Sequence, residues 1–186
     1  CTRCVRFGDE VTGTGELSED PSLAFLGARV LRGQNKQDTL AELSSTTSRV
    51  FLGARIECAQ CHDHPYASDF SREDFWAQIA FFGRTVVSLE RMGKNKEAKI
   101  EVLERGRGEL RVALGGDDDP RKRPIAPRFM GEDRSELDAD TDRRVALAAA
   151  IVDDPRFAEA TVGWVWTHLL GRGIVEPWDD LLSLDE

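Results

Sequence analysis

Apolar positions along the chain recur mainly at spacings of three and four, the period of a helix with one buried face. Residues 21–32, PSLAFLGARVLR, suit a short helix after the turn former Pro21, broken by Gly33, Gln34 and Asn35. Asp38 or Thr39 then offers a cap for a longer helix. On it Leu40, Leu43, Thr47, Val50, Phe51 and Ala54 form one stripe. Extended by one and two turns, the stripe reaches Cys58, then Cys61 and His62. That predicts these residues on the inner face of the helix end. Pro65 closes the element, because it disfavours helix in the residue before it.

Ser71 and Asp74 approximate a capping box for a second helix. Phe75, Ile79 and Phe82 make its apolar face, widened by Trp76 and Ala80, and Gly83 ends it. The period then changes. Val86 and Val87, IEVL at 100–103 and ELRVAL at 109–114 predict two or three short strands, with a hairpin turn at Arg105–Gly108. Residues 115–142 hold three Pro, three Gly and nine acidic residues, the composition of a hinge or long connection. Asp140–Asp142 open a helix carrying Val145, Leu147, Ala148 and Ile151. Pro155 suits the first position of the last helix, lined by Phe157, Ala160, Val165 and Leu169 and ended by Gly171.

Charge narrows the function classes. The 186 residues carry 25 basic and 34 acidic side chains, a formal charge of −9. An acidic chain is a poor generic nucleic-acid binder, so no nucleic-acid partner is expected. The basic run between Arg91 and Arg111 reads as a solvated hairpin. No run approaches 18 apolar residues, so no membrane span is expected. Cys1 opens the chain without a leader, and the other end breaks off in an acidic run, WDDLLSLDE. Both ends read as cuts in a longer protein.

Four Cys and three His are present, and Cys58, Cys61, His62 and His64 crowd together. Cys58-Ala59-Gln60-Cys61-His62 is C-x-x-C-H, the attachment signature of a c-type haem. Two thiols three positions apart share one side of a helical turn and can add to two vinyl groups along one porphyrin edge. His62 is then held beneath the iron as an axial ligand. Met130 is the weak choice for a sixth ligand; His168 reads as a core or interface histidine. Two other chemistries compete. A divalent metal such as zinc can use His62, His64 and Asp63; Cys58, Cys61, His62 and His64 together are four ligands too close to form a tetrahedron easily. The Cys pair can also be a redox dithiol or a structural disulfide.

The stretch FLGARIECAQCHDHPYASDFSREDFWAQIAFFGRT resembles the second cytochrome-like domain of large secreted planctomycete proteins of unknown function. PRFMG at 127–131 is similar to that family's Pro-Arg-Phe segment. The stretch RRVALAAAIVDDPRFAEATVGWVWTHLLGRGIVEPWDD is similar to the start of the domain that follows it. CAQCHDHP and GRGIVEPWDD are the specific parts. The resemblance implies a haem c site at Cys58, Cys61 and His62 in an exported, periplasmic or extracellular protein. It implies no established activity. Two positions depart from the family pattern: Gly163-Trp164 replaces Asn-Arg, and Met130 stands where Leu is common. Separately, CTRCVRFGDEVTGTGEL at 1–17 resembles an iron–sulfur segment of the large subunit of NADH–quinone oxidoreductase. A cluster needs four Cys, and this stretch offers Cys1 and Cys4.

The expected fold is mainly α with a small β region. A helical, c-type-cytochrome-like domain fragment spans 1–131, and the helical start of a second domain spans 132–186. The expected function is a haem-c electron-transfer or redox-sensing module of a larger secreted protein. Its partner would be a redox protein or other domains of the same chain. The alternatives are a divalent-metal-dependent hydrolase or carbohydrate-associated module using His62 and His64, and a non-catalytic interaction domain.

Overall fold

The computed structural model describes residues 15–16, 24–30, 36–91, 98–114, 121–131, 137 and 140–184. The expectations for Cys1, Cys4 and Gly33–Asn35 lie outside those residues. The described fold is mainly α with a small β region, as the periodicity predicts. In chain order it runs β1 (Gly15–Glu16), α1 (Ala24–Val30), α2 (Lys36–Leu52) and α3 (Arg72–Ile79). There follow β2 (Thr85–Arg91), β3 (Ala98–Glu104), β4 (Leu110–Val112) and β5 (Arg123–Ile125), then α4 (Arg143–Asp153) and α5 (Pro155–Leu170). Short 3-10 turns lie at Glu57–Gln60, Ala80–Phe82 and Leu181–Leu184.

Helix α2 is the central rod, touched by α1, α3 and α5. Its sequence predicts one apolar stripe, but the structure buries every side chain from Leu43 to Ser48. Ser44, Ser45, Thr46, Thr47 and Ser48 are the reason: small side chains let neighbours approach from several sides at once. The Thr47 hydroxyl donates back to the Leu43 carbonyl at 2.7 Å, which satisfies it inside the helix. Leu26, Leu43, Leu52, Phe75, Ile79, Phe82, Phe129 and Leu147 form the core around this rod. Each such side chain contributes about 1.5–3 kcal/mol by leaving water. Leu147, Ile151 and Phe157 belong to the same cluster, so residues on both sides of position 131 share one core.

The long helix stops earlier than its stripe predicts. It ends at Leu52, and Gly53 takes a left-handed φ of 61°. The Gly53 amide donates to the Arg49 carbonyl and the Ala54 amide to the Ser48 carbonyl, closing the helix end. Cys58, Cys61 and His62 are therefore not on the inner face of that helix. They follow it on a separate turn and are exposed.

The strands also correct one expectation. β1, β3 and β2 form an antiparallel sheet in that order, with Val87 opposite Val102. β3 is the middle strand and both its edges are occupied. β4 therefore cannot pair with it and pairs with β5, Leu110 opposite Ile125. Residues 105–108 connect two sheets instead of closing a hairpin.

Helix ends follow local chemistry closely. Ser71 and Asp74 complete the capping box of α3. Asp142 caps α4, Asp154 caps α5 with Pro155 just inside, and Gly171 closes α5 at φ 76°. Two arginines fasten α4 to the rest. Arg143 reaches the Ala80 carbonyl and Glu109, and the fully buried Arg144 pairs with Glu104 at 3.0 Å. Burial outweighs the attraction of Arg144 and pushes the Glu104 carboxyl above its usual range. On α5 the expected stripe holds only in part. Phe157 and Ala160 are buried, whereas Val165 and Leu169 are exposed, because the C-terminal half runs past the core.

Gly53 has a second constraint besides its φ. A Cβ there would stand 2.8 Å from the Leu181 side chain. Gly53→Ala is expected to lower stability by roughly 1–3 kcal/mol, through left-handed strain and this close approach. Denaturant midpoints against wild type measure it.

Candidate functional site

The turn that carries the Cys-x-x-Cys-His segment is built on alternating burial. Ala54, Ile56 and Ala59 are fully buried and anchor the strip that leaves α2. The Ala59 amide donates to the Ile56 carbonyl at 3.0 Å, within the 3-10 turn Glu57–Gln60. Side chains three apart align in a 3-10 turn. Cys58 and Cys61 accordingly share the outer side, opposite Ala59, and both are free, exposed thiols.

His62 follows on the same open surface. Its Nδ1 lies 2.6 Å from the Asp63 carbonyl oxygen, so Nδ1 is the protonated nitrogen. Nε2 then carries the lone pair and is the nitrogen left for a ligand bond. A metal-ligating histidine usually donates its other ring N–H to a carboxylate or a backbone carbonyl, as His62 does here. The donor set of Cys58, Cys61 and His62 thus fits thioether attachment and one axial bond.

His64 has a different role. It is buried, and both ring nitrogens are engaged. The Ala67 and Tyr66 amides donate to Nδ1 at 3.0 and 3.3 Å, which makes Nδ1 the acceptor. Nε2 must therefore carry the proton, donated to the Arg55 carbonyl at 2.9 Å. Phe70 meets the ring edge-on, and the His64 amide donates to the Phe70 carbonyl. Ligating a metal through His64 would sacrifice these bonds. Asp63 is also occupied, its Oδ1 accepting the Arg72 amide at 2.9 Å. His62, Asp63 and His64 are neighbours in sequence, but no group of three or more metal-ligating side chains converges among the described residues.

Arg72, at the start of α3, ties the turn to the small sheet. Its guanidinium donates to the carbonyls of Gln60, Leu114 and Ala113 at 3.2, 3.0 and 3.3 Å. Two residues on, Asp74 accepts from the Ser71 amide and hydroxyl at 2.8 and 2.6 Å and pairs with Arg128. Burial opposes its ionisation, but the Ser71 hydrogen bonds and Arg128 together hold the carboxyl below its usual range. Arg128 leads to Met130, whose amide donates to the Gln78 side chain at 3.0 Å. Met130 has a left-handed φ of 45° and is half-buried against the core.

His168 lies on exposed α5, not in the core. Its ring centroid is 4.3 Å from that of Trp164, and Nδ1 lies 2.8 Å from the Trp164 carbonyl oxygen. Arg55, Arg72, Asp74 and Arg128 were not legible as site residues. Only the Ser71–Asp74 spacing announced one of them.

Residues 8–86 match the model of a family described as PSCyt2, a protein of unknown function (DUF1549). The match includes the whole Cys-x-x-Cys-His turn and α3, so this part of the chain is similar to a domain of unknown function. No curated protein and no solved structure matches the chain.

Two outcomes follow from this geometry. His64→Ala removes three hydrogen bonds and a buried ring and should cost about 2–4 kcal/mol, whereas His62→Ala should stay within about 0.5 kcal/mol. Urea unfolding of the two variants separates them. Asp74 has a lowered folded-state pKa. Its contribution is therefore present above the unfolded value, about 3.9, and is lost as pH falls through the folded one. The stability gap between wild type and Asp74→Asn should shrink steadily below about pH 4. A gap independent of pH would show that the charge of Asp74 is not what stabilises the cap.

Proposed function

We propose that the turn at 57–62 attaches a haem c, making the chain an electron-transfer or redox-sensing module of a larger exported protein. One observation carries the reading. Cys58 and Cys61 are free and exposed, one within a 3-10 turn and the other at its end, and His62 offers Nε2 while Nδ1 is held by the Asp63 carbonyl. Cys58 and Cys61 would hold the porphyrin by thioether bonds and His62 would hold the iron through Nε2. The haem, when bound, supplies one-electron chemistry.

The chain's own residues orient and insulate. Ala59 and Ile56 anchor the turn from below, Arg72 holds its last carbonyl, and His64 keeps the following loop closed. Met130 is the residue proposed at the sixth position, and using it requires its release from the core. An exported location, periplasmic or extracellular, belongs to the same proposal, because c-type haem attachment is an extracytoplasmic chemistry. The partner is a redox protein or another domain of the full chain, meeting the open side of the turn. No helix among the described residues is long and apolar enough to cross a membrane. Zinc or another divalent metal at His62, His64 and Asp63 fits less well, since His64 and Asp63 already serve as hydrogen-bond partners.

Expression with a c-haem maturation system and a pyridine haemochrome spectrum test the proposal. The wild-type chain should carry haem that survives denaturing electrophoresis. Cys61→Ala should lose that covalent band, and His62→Ala should keep it with an altered iron spectrum. A wild-type chain that emerges colourless from the same cells overturns the reading.

A further inference from the structure

The segments CAQCHDHP and GRGIVEPWDD are far apart in sequence, and the structure joins them. We infer that Asp179 is a positioning residue for the Cys-x-x-Cys-His turn, clamping it from behind through Arg55 and His64. The purpose of the clamp rests on the haem reading; its geometry does not.

Asp179 stands where α2 gives way to the strip leading to the turn. Its Oδ1 accepts from Arg55 Nε at 3.2 Å and Nη2 at 2.7 Å. Its Oδ2 lies 3.7 Å from Arg49 Nε, on the last turn of α2. One carboxylate therefore bridges both sides of the helix end. The hydrogen bonds donated to Asp179 favour the charged Arg55 guanidinium and raise its pKa, against the cost of partial burial. Two residues on, the Leu181 amide donates to the Gly53 carbonyl at 2.6 Å, and the Leu181 side chain covers Gly53. The strip 53–55 is thus held by two independent contacts from 179–181.

That strip is the floor for His64. The Arg55 side chain is fixed by Asp179, and the Arg55 carbonyl accepts the His64 Nε2 proton. The other His64 nitrogen accepts the Tyr66 and Ala67 amides. The loop 62–67 is consequently strung between the clamp and its own backbone, and His62 stands at its start. Asp179 touches neither a thiol nor His62. It acts by fixing where the loop can go.

The test uses the full chain without haem, labelled with 15N. Two local probes are read: hydrogen exchange of the Ala67 amide and the ring-nitrogen shifts of His64. In Asp179→Ala, Ala67 exchange should rise about tenfold, as expected when a charge-assisted contact no longer opposes local opening. The His64 shifts should move away from the single Nε2–H tautomer, while Val102 in β3 exchanges as in wild type. Asp179→Glu should restore part of the protection. Arg55→Gln, which leaves the Arg55 carbonyl and Arg49 in place, should reproduce the local rise and decides the matter if Asp179→Ala does not fold. Ala67 and Val102 accelerating equally, or Ala67 and the His64 shifts both unmoved, overturns the inference. A wild-type chain that takes no haem overturns the haem reading alone, since these probes are read without haem.

Discussion

A turn that exposes two thiols and an imidazole cannot hold itself in place by burying them, so it must be held from behind. His64 provides that hold. Its ring is buried with one nitrogen donating to Arg55 and the other accepting from Tyr66 and Ala67. A buried polar ring left unpaired would be costly, and one satisfied on both sides has a single favourable position. The hydrogen bonds that make burial tolerable also fix where the chain goes after His62. Reactive groups outside and a fully used imidazole inside are two faces of one arrangement.

The same logic extends outward through charged groups. Arg72 spends its guanidinium on three carbonyls, which joins the turn to the end of β4. Asp74 and Arg128 carry the connection to the segment 128–130 along α3. Asp179 meets Arg49 and Arg55 at the end of α2. The chain is acidic overall, yet Arg55, Arg72, Arg128, Arg143 and Arg144 each join segments distant in sequence. Arg is suited to that position because its planar fork serves several acceptors at once.

Much of the fold was legible because local rules decided it. The Ser71–Asp74 box, the Asp142 cap, Pro155 and Gly171 each act within a few residues, and each helix end they announce is present. Periodicity was less dependable where neighbours override it. The stripe on α2 does not run on to Cys58, because Gly53 turns left-handed under Leu181. The hairpin at 105–108 does not close, because β3 already has two partners. Val165 and Leu169 do not reach the core, because α5 extends beyond it.

Residue order alone places two thiols and an imidazole within one short segment. Cys58 and Cys61 are three positions apart and His62 is next in sequence, and all three are exposed. Tertiary structure decided which histidine faces outward and which is consumed as a support, and which carboxylate stands behind them. His62 and His64 are two apart and look equivalent in a string of letters. Only packing against Phe70 and the Arg55 carbonyl separates them. Asp179 lies 124 residues from Arg55. An interaction at that separation depends on how helices pack around α2, and leaves no periodic or local trace in the sequence.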